Sequence, residues 1–286
     1  MLKAGSTKLH DELDLDAVKR AYEATSAKLQ GDVVAGPFHL YAVETLRDGH
    51  ALRKSKAVPV DVFVFGEGEP KRRHVTKIGG LPYWPADKPW PKNRDGTPYW
   101  FMAQFNFSDS VDLFPELPGD LLSILTEDED GWLEDDQASV HCFWQTVKRQ
   151  DLITKKTFPK FEHTYDYFEG YGVIHRTADY PKSAAKAEKL AVRRSYNLPV
   201  LNATKIGGVP HTIEGPVNVE GTFLAQLASI QPPPHVPYPW VNRRRPYDLS
   251  SGKNGIYGNQ QMIGDMGSLY LFLQDDGEVR CTTQCY

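Results

Sequence analysis

The sequence predicts an α+β fold that is mainly antiparallel β, with two diverged internal repeats sharing one core and with helices flanking the sheet. Three observations lead to this fold class: the composition, two segments with helical periodicity, and an ordered repetition of motifs. The chain has 286 residues, including 23 Gly and 21 Pro, and 12% of its residues are aromatic. That composition favours short strands joined by many turns, and the length allows a substantial core.

Two segments carry the helical pattern. In residues 16–30, Val18, Tyr22 and Leu29 lie on one face at helical spacing, and an aspartate at the start is a suitable N-cap. In residues 181–191, a proline suits the first turn, and alanine and leucine recur at helical spacing among lysines. We therefore expect one helix near the N-terminus and one in the middle of the chain.

The clearest strand is Val58–Phe65, in which valine occupies every second position. The end of this segment is apolar on both faces, which is typical of a strand at the centre of a sheet. A further strand is expected over residues 38–46.

The chain contains an internal duplication, because three motifs recur in the same order. The matching pairs are Thr76–Pro82 with Thr204–Pro210, Phe101–Phe105 with Phe223–Leu227 and, more loosely, Gly119–Leu125 with Gly267–Leu273. The first motif contains a Gly-Gly turn, which permits positive φ and a close approach of backbone. Gln104 and Gln226 also recur, and we expect each to be a part-buried amide that bonds loop backbone rather than a reactive group.

We expect one domain in which the two repeats pack about a pseudo-two-fold axis. The expected parts of this 1–286 domain are residues 1–70 with the first helix and strands, 71–145 as repeat 1, 146–200 as a connector with a helix, and 201–286 as repeat 2 with a long insertion over 231–266. A loop as long as this insertion is usually functional or mobile.

These motifs resemble the YwqG-like family of bacterial proteins. The residues that carry the resemblance are Lys77–Pro82, Pro85, Trp90-Pro91, Asp95-Gly96 and Phe101–Phe107 and, more loosely, Gly264–Gly267 and Gln284–Tyr286. The resemblance implies a compact α+β fold with internal duplication. It also implies a recurring genomic association with secreted bacterial toxins, and hence an immunity or partner-binding role. It implies no particular reaction.

Charge is strongly segregated along the chain. Between Asp95 and Val147 there is no Lys or Arg and there are twelve Asp or Glu residues, so the rest of the chain sums to −4 − (−12) = +8. Such a segment is either a solvated loop or a surface that attracts a basic partner. The basic partner we consider is a toxin domain, such as a nuclease whose cleft binds phosphates.

An aromatic residue within acidic surroundings is typical of the centre of a protein interface. The residues that we assign to partner binding are Glu127, Asp128, Glu129, Asp130, Trp132, Glu134, Asp135 and Asp136. The same acids do not make a calcium loop, because Ser139 stands where the twelfth position requires an acid.

An alternative site is the aromatic loop that contains Trp84, Trp90 and Trp100. Indole faces suit sugars and other flat molecules, so this loop either lines a groove for a small ligand or packs locally over the Gly-Gly turn. A hydrolase whose site has no sequence motif is a further alternative.

The remaining expectations are negative. We identify no catalytic motif, no cofactor and no metal site: the nine histidines are scattered, and the three cysteines lack the spacing of zinc ligands. A net charge of −4 argues against direct binding of nucleic acid. No signal peptide or membrane-spanning run is present, so we expect a cytoplasmic protein that does not associate with a membrane.

Overall fold

The architecture is one antiparallel sheet of ten strands. A computed structural model describes residues 14–17, 19–20, 47, 56–67, 69–127, 139–148, 151–161, 169–183, 199–229, 263–264 and 266–285. The strands are β1 (Val58–Glu67), β2 (Lys77–Ile78), β3 (Trp100–Asn106), β4 (Leu121–Thr126), β5 (Val140–Gln145), β6 (Gly170–Asp179), β7 (Lys205–Gly207), β8 (Thr222–Ala228), β9 (Ser268–Leu273) and β10 (Val279–Gln284). Their order across the sheet is β10-β9-β8-β7-β1-β6-β2-β3-β4-β5.

The predicted α+β class is wrong. In the described part of the chain, helical backbone is limited to 15–17, 19–20, residue 47, and 3-10 turns such as Phe107–Ser110 and Pro181–Ser183. Most of the two predicted helices, and the strand predicted over 38–46, lie outside the described residues.

An open sheet would need helices to cover its apolar face, but this sheet curls until its two edge strands meet. The Sγ atoms of Cys142 on β5 and Cys281 on β10 lie 3.5 Å apart. The Trp144 indole donates a hydrogen bond of 3.2 Å to the carbonyl of Gly277, beside the start of β10. The hydrogen bond to Cys281, together with burial, raises the pKa of the Cys142 thiol. The curled sheet therefore encloses its own core, and no helical layer is required.

The core fills the concave side of the curled sheet. Phe63, Phe105, Leu122, Ile206 and Leu271 are among its buried residues, and they come from strands of both halves of the chain. The prediction that Val58–Phe65 forms a central strand is confirmed, since β1 lies between β6 and β7. The two halves therefore contribute to one hydrophobic core.

The strand order is symmetric about the β1–β6 pair. On either side of this pair, β7, β8, β9 and β10 follow in the same sequence as β2, β3, β4 and β5. We call β1–β5 the first half and β6–β10 the second half. The first strand of each half pairs with the second strand of the other half, β1 with β7 and β6 with β2. Because each half completes its partner's sheet in this way, neither forms an independent sheet.

Backbone register shows which residues are equivalent between the halves. Lys77 pairs with Gln104, and Lys205 pairs with Gln226, so the first two sequence matches are in register. Both β3 and β8 also carry a bulge at the same place. The third match is displaced by one residue, because the partner of Gln104 is Ser123 and the partner of Gln226 is Tyr270. Leucine-rich strands align almost equally well at either offset, so the sequence did not distinguish them.

A buried lysine lies at the start of each Gly-Gly motif and is neutralised by a carboxylate. Lys77 Nζ donates to Glu69 Oε2 at 2.6 Å, and Lys205 Nζ donates to Asp179 Oδ2 at 2.8 Å. Glu69 lies two residues beyond the end of β1, and Asp179 is the last residue of β6, so each carboxylate follows or ends the first strand of its own half. Desolvation lowers the pKa of both lysines, and the neighbouring carboxylate opposes this effect. These ion pairs fasten β2 and β7 to the rest of the sheet.

The Gly-Gly turns allow the same carboxylates to approach the backbone. The carboxylates also accept hydrogen bonds from the N–H groups of Leu81 and Val209, which immediately follow the turns. Gly80 and Gly208 have φ values of +67° and +70°, and a Cβ atom on either would collide with the carboxylate oxygen. Glycine is required here for both its backbone conformation and its lack of a side chain.

Replacing Asp179 by Asn should destabilise the protein by about 3–5 kcal/mol, because it leaves the ammonium of Lys205 buried without a counter-charge. Urea unfolding of the parent and the variant measures this change. Asp95→Asn, in an exposed turn, is the matched control and should change stability by less than about 0.5 kcal/mol. Equal stabilities of the two variants would contradict the role of the ion pair.

Gly208→Ala should cost about 2–5 kcal/mol, through a strained φ and a clash with Asp179. Gly96→Ala is the control, because Gly96 has φ +84° but no atom within 4 Å of the added Cβ. That variant should lose only the strain energy of about 1–2 kcal/mol. Thermal unfolding of both variants separates the clash from the strain, and an equal loss in both would show that the clash is absent.

Candidate functional site

The acidic segment, by which we mean residues 127–138 between β4 and β5, begins beside the aromatic loop at one end of the first half. Trp100, the first residue of β3, pairs with Thr126, the last residue of β4. The aromatic loop therefore enters the sheet beside the point where the acidic segment leaves it. In the sequence these two features are separate alternatives, but the sheet places the base of the acidic segment beside the aromatic loop.

The base of the acidic segment is tied together by backbone and side chains. The Glu127 N–H donates to the carbonyl of Ser139 at 3.0 Å, so the segment leaves and returns at one place. The Glu127 carboxylate also contacts Nε2 of His141 at 3.0 Å. Of the eight residues assigned to partner binding, Glu127 is described; the other seven fall within residues 128–138, which lie outside the described residues.

The three tryptophans of the alternative site belong to one aromatic cluster. Ring centroids are 5.0 Å apart between Trp84 and Trp90, and 5.0 Å between Trp90 and Phe158. The series continues from Phe158 to Phe161 at 5.6 Å, and from Phe161 to Trp100 at 4.2 Å. Sequence analysis missed the two phenylalanines as site residues. Their place in an aromatic-rich segment after β5 was the available signal.

The tryptophans differ in how much of each ring is accessible. Trp84 is fully buried, and its indole donates to the carbonyl of Lys88 at 3.0 Å. Trp90, which donates to the carbonyl of Tyr99 at 2.9 Å, and Trp100 are only partly buried. Local packing accounts for Trp84, whereas Trp90 and Trp100 retain surface that another molecule can contact.

A stacked pair of rings joins the aromatic cluster to the acidic segment. The rings of Tyr99 and His141 are parallel within 7°, with centroids 4.2 Å apart. His141 in turn contacts Glu127. We call the surface formed by Glu127, His141, Tyr99, Trp90 and Trp100 the acidic–aromatic end.

Among the described residues, the second half has no equivalent of this surface. Its turn between β9 and β10 spans only Gln274 to Glu278, which are joined by a backbone hydrogen bond of 2.9 Å. Between Pro210 and Thr222 the sequence has no Trp, Tyr or Phe. The acidic–aromatic end is therefore an addition to one half of a symmetric architecture.

The repeated glutamines belong to that symmetric architecture. Gln104 Oε1 accepts a hydrogen bond of 2.8 Å from Tyr83 N–H, and its Nε2 donates to the carbonyl of Val75 at 2.7 Å. Gln226 Oε1 accepts in the same way from His211 N–H at 2.9 Å. The prediction that these amides bond loop backbone is confirmed, and they hold the loops that follow the Gly-Gly turns.

A further group of charges forms an ion-pair network centred on Arg176. Arg176 on β6 donates to both oxygens of Asp61, which lies directly opposite it on β1, and to both oxygens of Asp112. Ser110 also donates to Asp61, at 2.6 Å. The two carboxylates raise the pKa of Arg176 further above its usual value. Because these groups satisfy one another, the network fastens the 107–113 turn to the sheet.

The described part of the chain contains neither a metal-ligand cluster nor a membrane-spanning helix. Within those ranges, no three His, Cys, Asp or Glu side chains come together in an arrangement that would hold a metal ion. No helix among the same residues is long and apolar enough to cross a membrane.

The fold and the site define a duplicated, antiparallel β protein with a specialised surface on one half. Residues 76–277 match the family described as a domain of unknown function, DUF1963. This match covers more than half of the chain and includes both Gly-Gly motifs, and the chain therefore belongs to that family. No curated protein matches the chain.

Alanine substitution should separate the packing and surface roles of the tryptophans. Trp84→Ala should destabilise the protein by about 3–5 kcal/mol, since the whole indole is buried. Trp100→Ala should cost only about 1–2 kcal/mol, since less apolar area leaves water at this position. Chemical unfolding tests both values, and a larger loss for Trp100→Ala would reverse the assignment.

Proposed function

We propose that this chain is a non-enzymatic protein-binding module that engages a basic protein partner through its acidic–aromatic end and residues 128–136. The observation that carries the proposal is the backbone hydrogen bond between Glu127 and Ser139, which anchors both ends of the acidic segment beside the aromatic cluster. Negative charge and accessible aromatic rings then belong to one contact region.

The two components of this surface make different contributions to binding. Six acids in residues 128–136 attract a basic partner and accelerate its encounter. Aromatic side chains such as Trp132 and Trp100 provide apolar area that excludes water from the charged contacts. This division predicts an association rate that falls with ionic strength and a dissociation rate governed by the aromatic residues.

Within this proposal, the partner is a bacterial toxin that the chain neutralises as an immunity protein. A nuclease toxin fits best, because a cleft that binds phosphates is rich in Lys and Arg and accepts an acidic segment in place of nucleic acid. The resemblance to YwqG-like proteins supports this role through their association with secreted toxins. The structure's symmetric framework supports a binding role in another way, because it offers a rigid base for one added surface.

A variant with six acids replaced by amides should no longer capture a stoichiometric protein partner. The six acids are Glu127, Asp128, Glu129, Glu134, Asp135 and Asp136. The parent should capture that partner at low salt and lose it at high salt, since exposed charges are screened. The captured partner, once purified, should be basic and should bind the parent in a direct titration.

The matched control neutralises Asp275 and Asp276 in the equivalent turn of the second half, and it should bind like the parent. If the six-fold variant binds as well as the parent, the acidic contact is refuted. Binding of a small molecule that is insensitive to salt but lost in Trp100→Ala would instead favour the small-ligand alternative at the aromatic loop.

A further inference from the structure

Lys88 places its charge over two aromatic rings of the cluster. Its Nζ lies 4.6 Å from the ring centroid of Trp84 and 5.7 Å from that of Phe143. No described carboxylate lies within ion-pair distance of it, and desolvation lowers the pKa of this ammonium group. The rings are thus the main favourable contact of a charge that has partly left water.

The backbone of Lys88 is held independently of its side chain. Its N–H donates to the carbonyl of Pro85 at 3.2 Å, and its own carbonyl accepts from the Trp84 indole at 3.0 Å. The residue as a whole is exposed. Its side chain can therefore rotate away from the rings without disturbing the loop, which would open the face of Trp84 that it now covers.

The rings lie beside the base of the acidic segment. Phe143 is two residues after His141 on β5, so their side chains project from the same face about 7 Å apart. His141 contacts Glu127, the first residue of the acidic segment. A second cation that approaches these rings is therefore attracted by the negative charge at Glu127.

The equivalent positions of the second half lack both rings. Trp84 follows Tyr83, whose N–H donates to Gln104. Thr212 is its equivalent, because it follows His211, whose N–H donates to Gln226. The partner of Ser123 is Phe143, whereas the partner of Tyr270 is Thr282. Two threonines thus stand where the first half has its rings, so the symmetric framework does not require these aromatic residues.

We propose that Trp84 and Phe143 form a recess for an alkylammonium group, which Lys88 occupies as an internal and displaceable ligand. The incoming group is a lysine side chain of the basic protein partner, and in this respect the inference rests on the proposed function. Binding of a free ammonium probe to the recess does not depend on that partner.

Removing the internal ligand should expose the recess. Tetramethylammonium is titrated into ¹⁵N-labelled parent protein, Lys88→Ala and Lys88→Gln, and the indole N–H signal of Trp84 is followed. Both variants should bind the probe at least about tenfold more tightly than the parent, because the competing charge is gone. Lys88→Gln retains most of the side-chain length, so it tests the same point if the alanine variant folds poorly.

Two controls identify the interaction as a cation–π contact. Lys92→Ala, in the same loop, should bind like the parent. Uncharged tert-butanol, which has a similar shape to the probe, should give no saturable shift in any variant. The recess is refuted if neither Lys88 variant binds tetramethylammonium more tightly than the parent, or if tert-butanol binds equally well.

The outcome is independent of the partner experiment. If the Lys88 variants bind the probe but the parent protein captures no protein partner, the recess is established and the proposed function is refuted. Loss of the partner on neutralising the acids, without probe binding in the Lys88 variants, would support the proposed function and refute the recess.

Discussion

The buried ion pairs Lys77–Glu69 and Lys205–Asp179 are the constraint on which the architecture depends. Each pair brings a carboxylate, at or just beyond the end of a long strand, against a strand of only two or three residues, β2 or β7. Such short strands have few ladder hydrogen bonds, so the ion pair and the turn behind it keep them in place. The cost of burying the charges is offset by close pairing and by backbone N–H groups that donate to the same carboxylates.

Symmetry separates what the framework needs from what has been added to it. The lysine–carboxylate pairs, the glycine turns and the loop N–H groups that donate to the glutamine Oε1 atoms recur in both halves, so they belong to the framework. The acidic segment in the sequence, and the ring contacts of Trp84, Trp90 and Trp100 among the described residues, occur in one half alone. A folding requirement of the module would act on both halves, so the framework does not require these one-sided features, and we propose that they serve binding. The same comparison identifies the rings beneath Lys88 as an addition.

Several residues of the candidate site are recognisable in the sequence, but their arrangement is not. The acidic segment and the three tryptophans stand out by composition, whereas His141 and Tyr99 do not. These two residues join the two features, because Tyr99 stacks on His141, which contacts Glu127 from a segment that is distant along the chain. Periodicity and motifs describe local structure, and such non-local contacts have no local pattern. The alternatives therefore looked separate until the sheet brought them together.

The sequence by itself determined the duplication, the central position of β1 and the structural role of the repeated glutamines, because each follows from local patterning. The tertiary structure decided that the sheet would curl and enclose its own core, so that in the described ranges no helical layer covers it. It also decided that the first strand of each half pairs with the second strand of the other half, which makes β1 and β6 equivalent strands. Strands as short as β2 are too brief for an alternating pattern to be recognised, and the carboxylate partners of Lys77 and Lys205 lie at different sequence separations. Only packing selects these pairs.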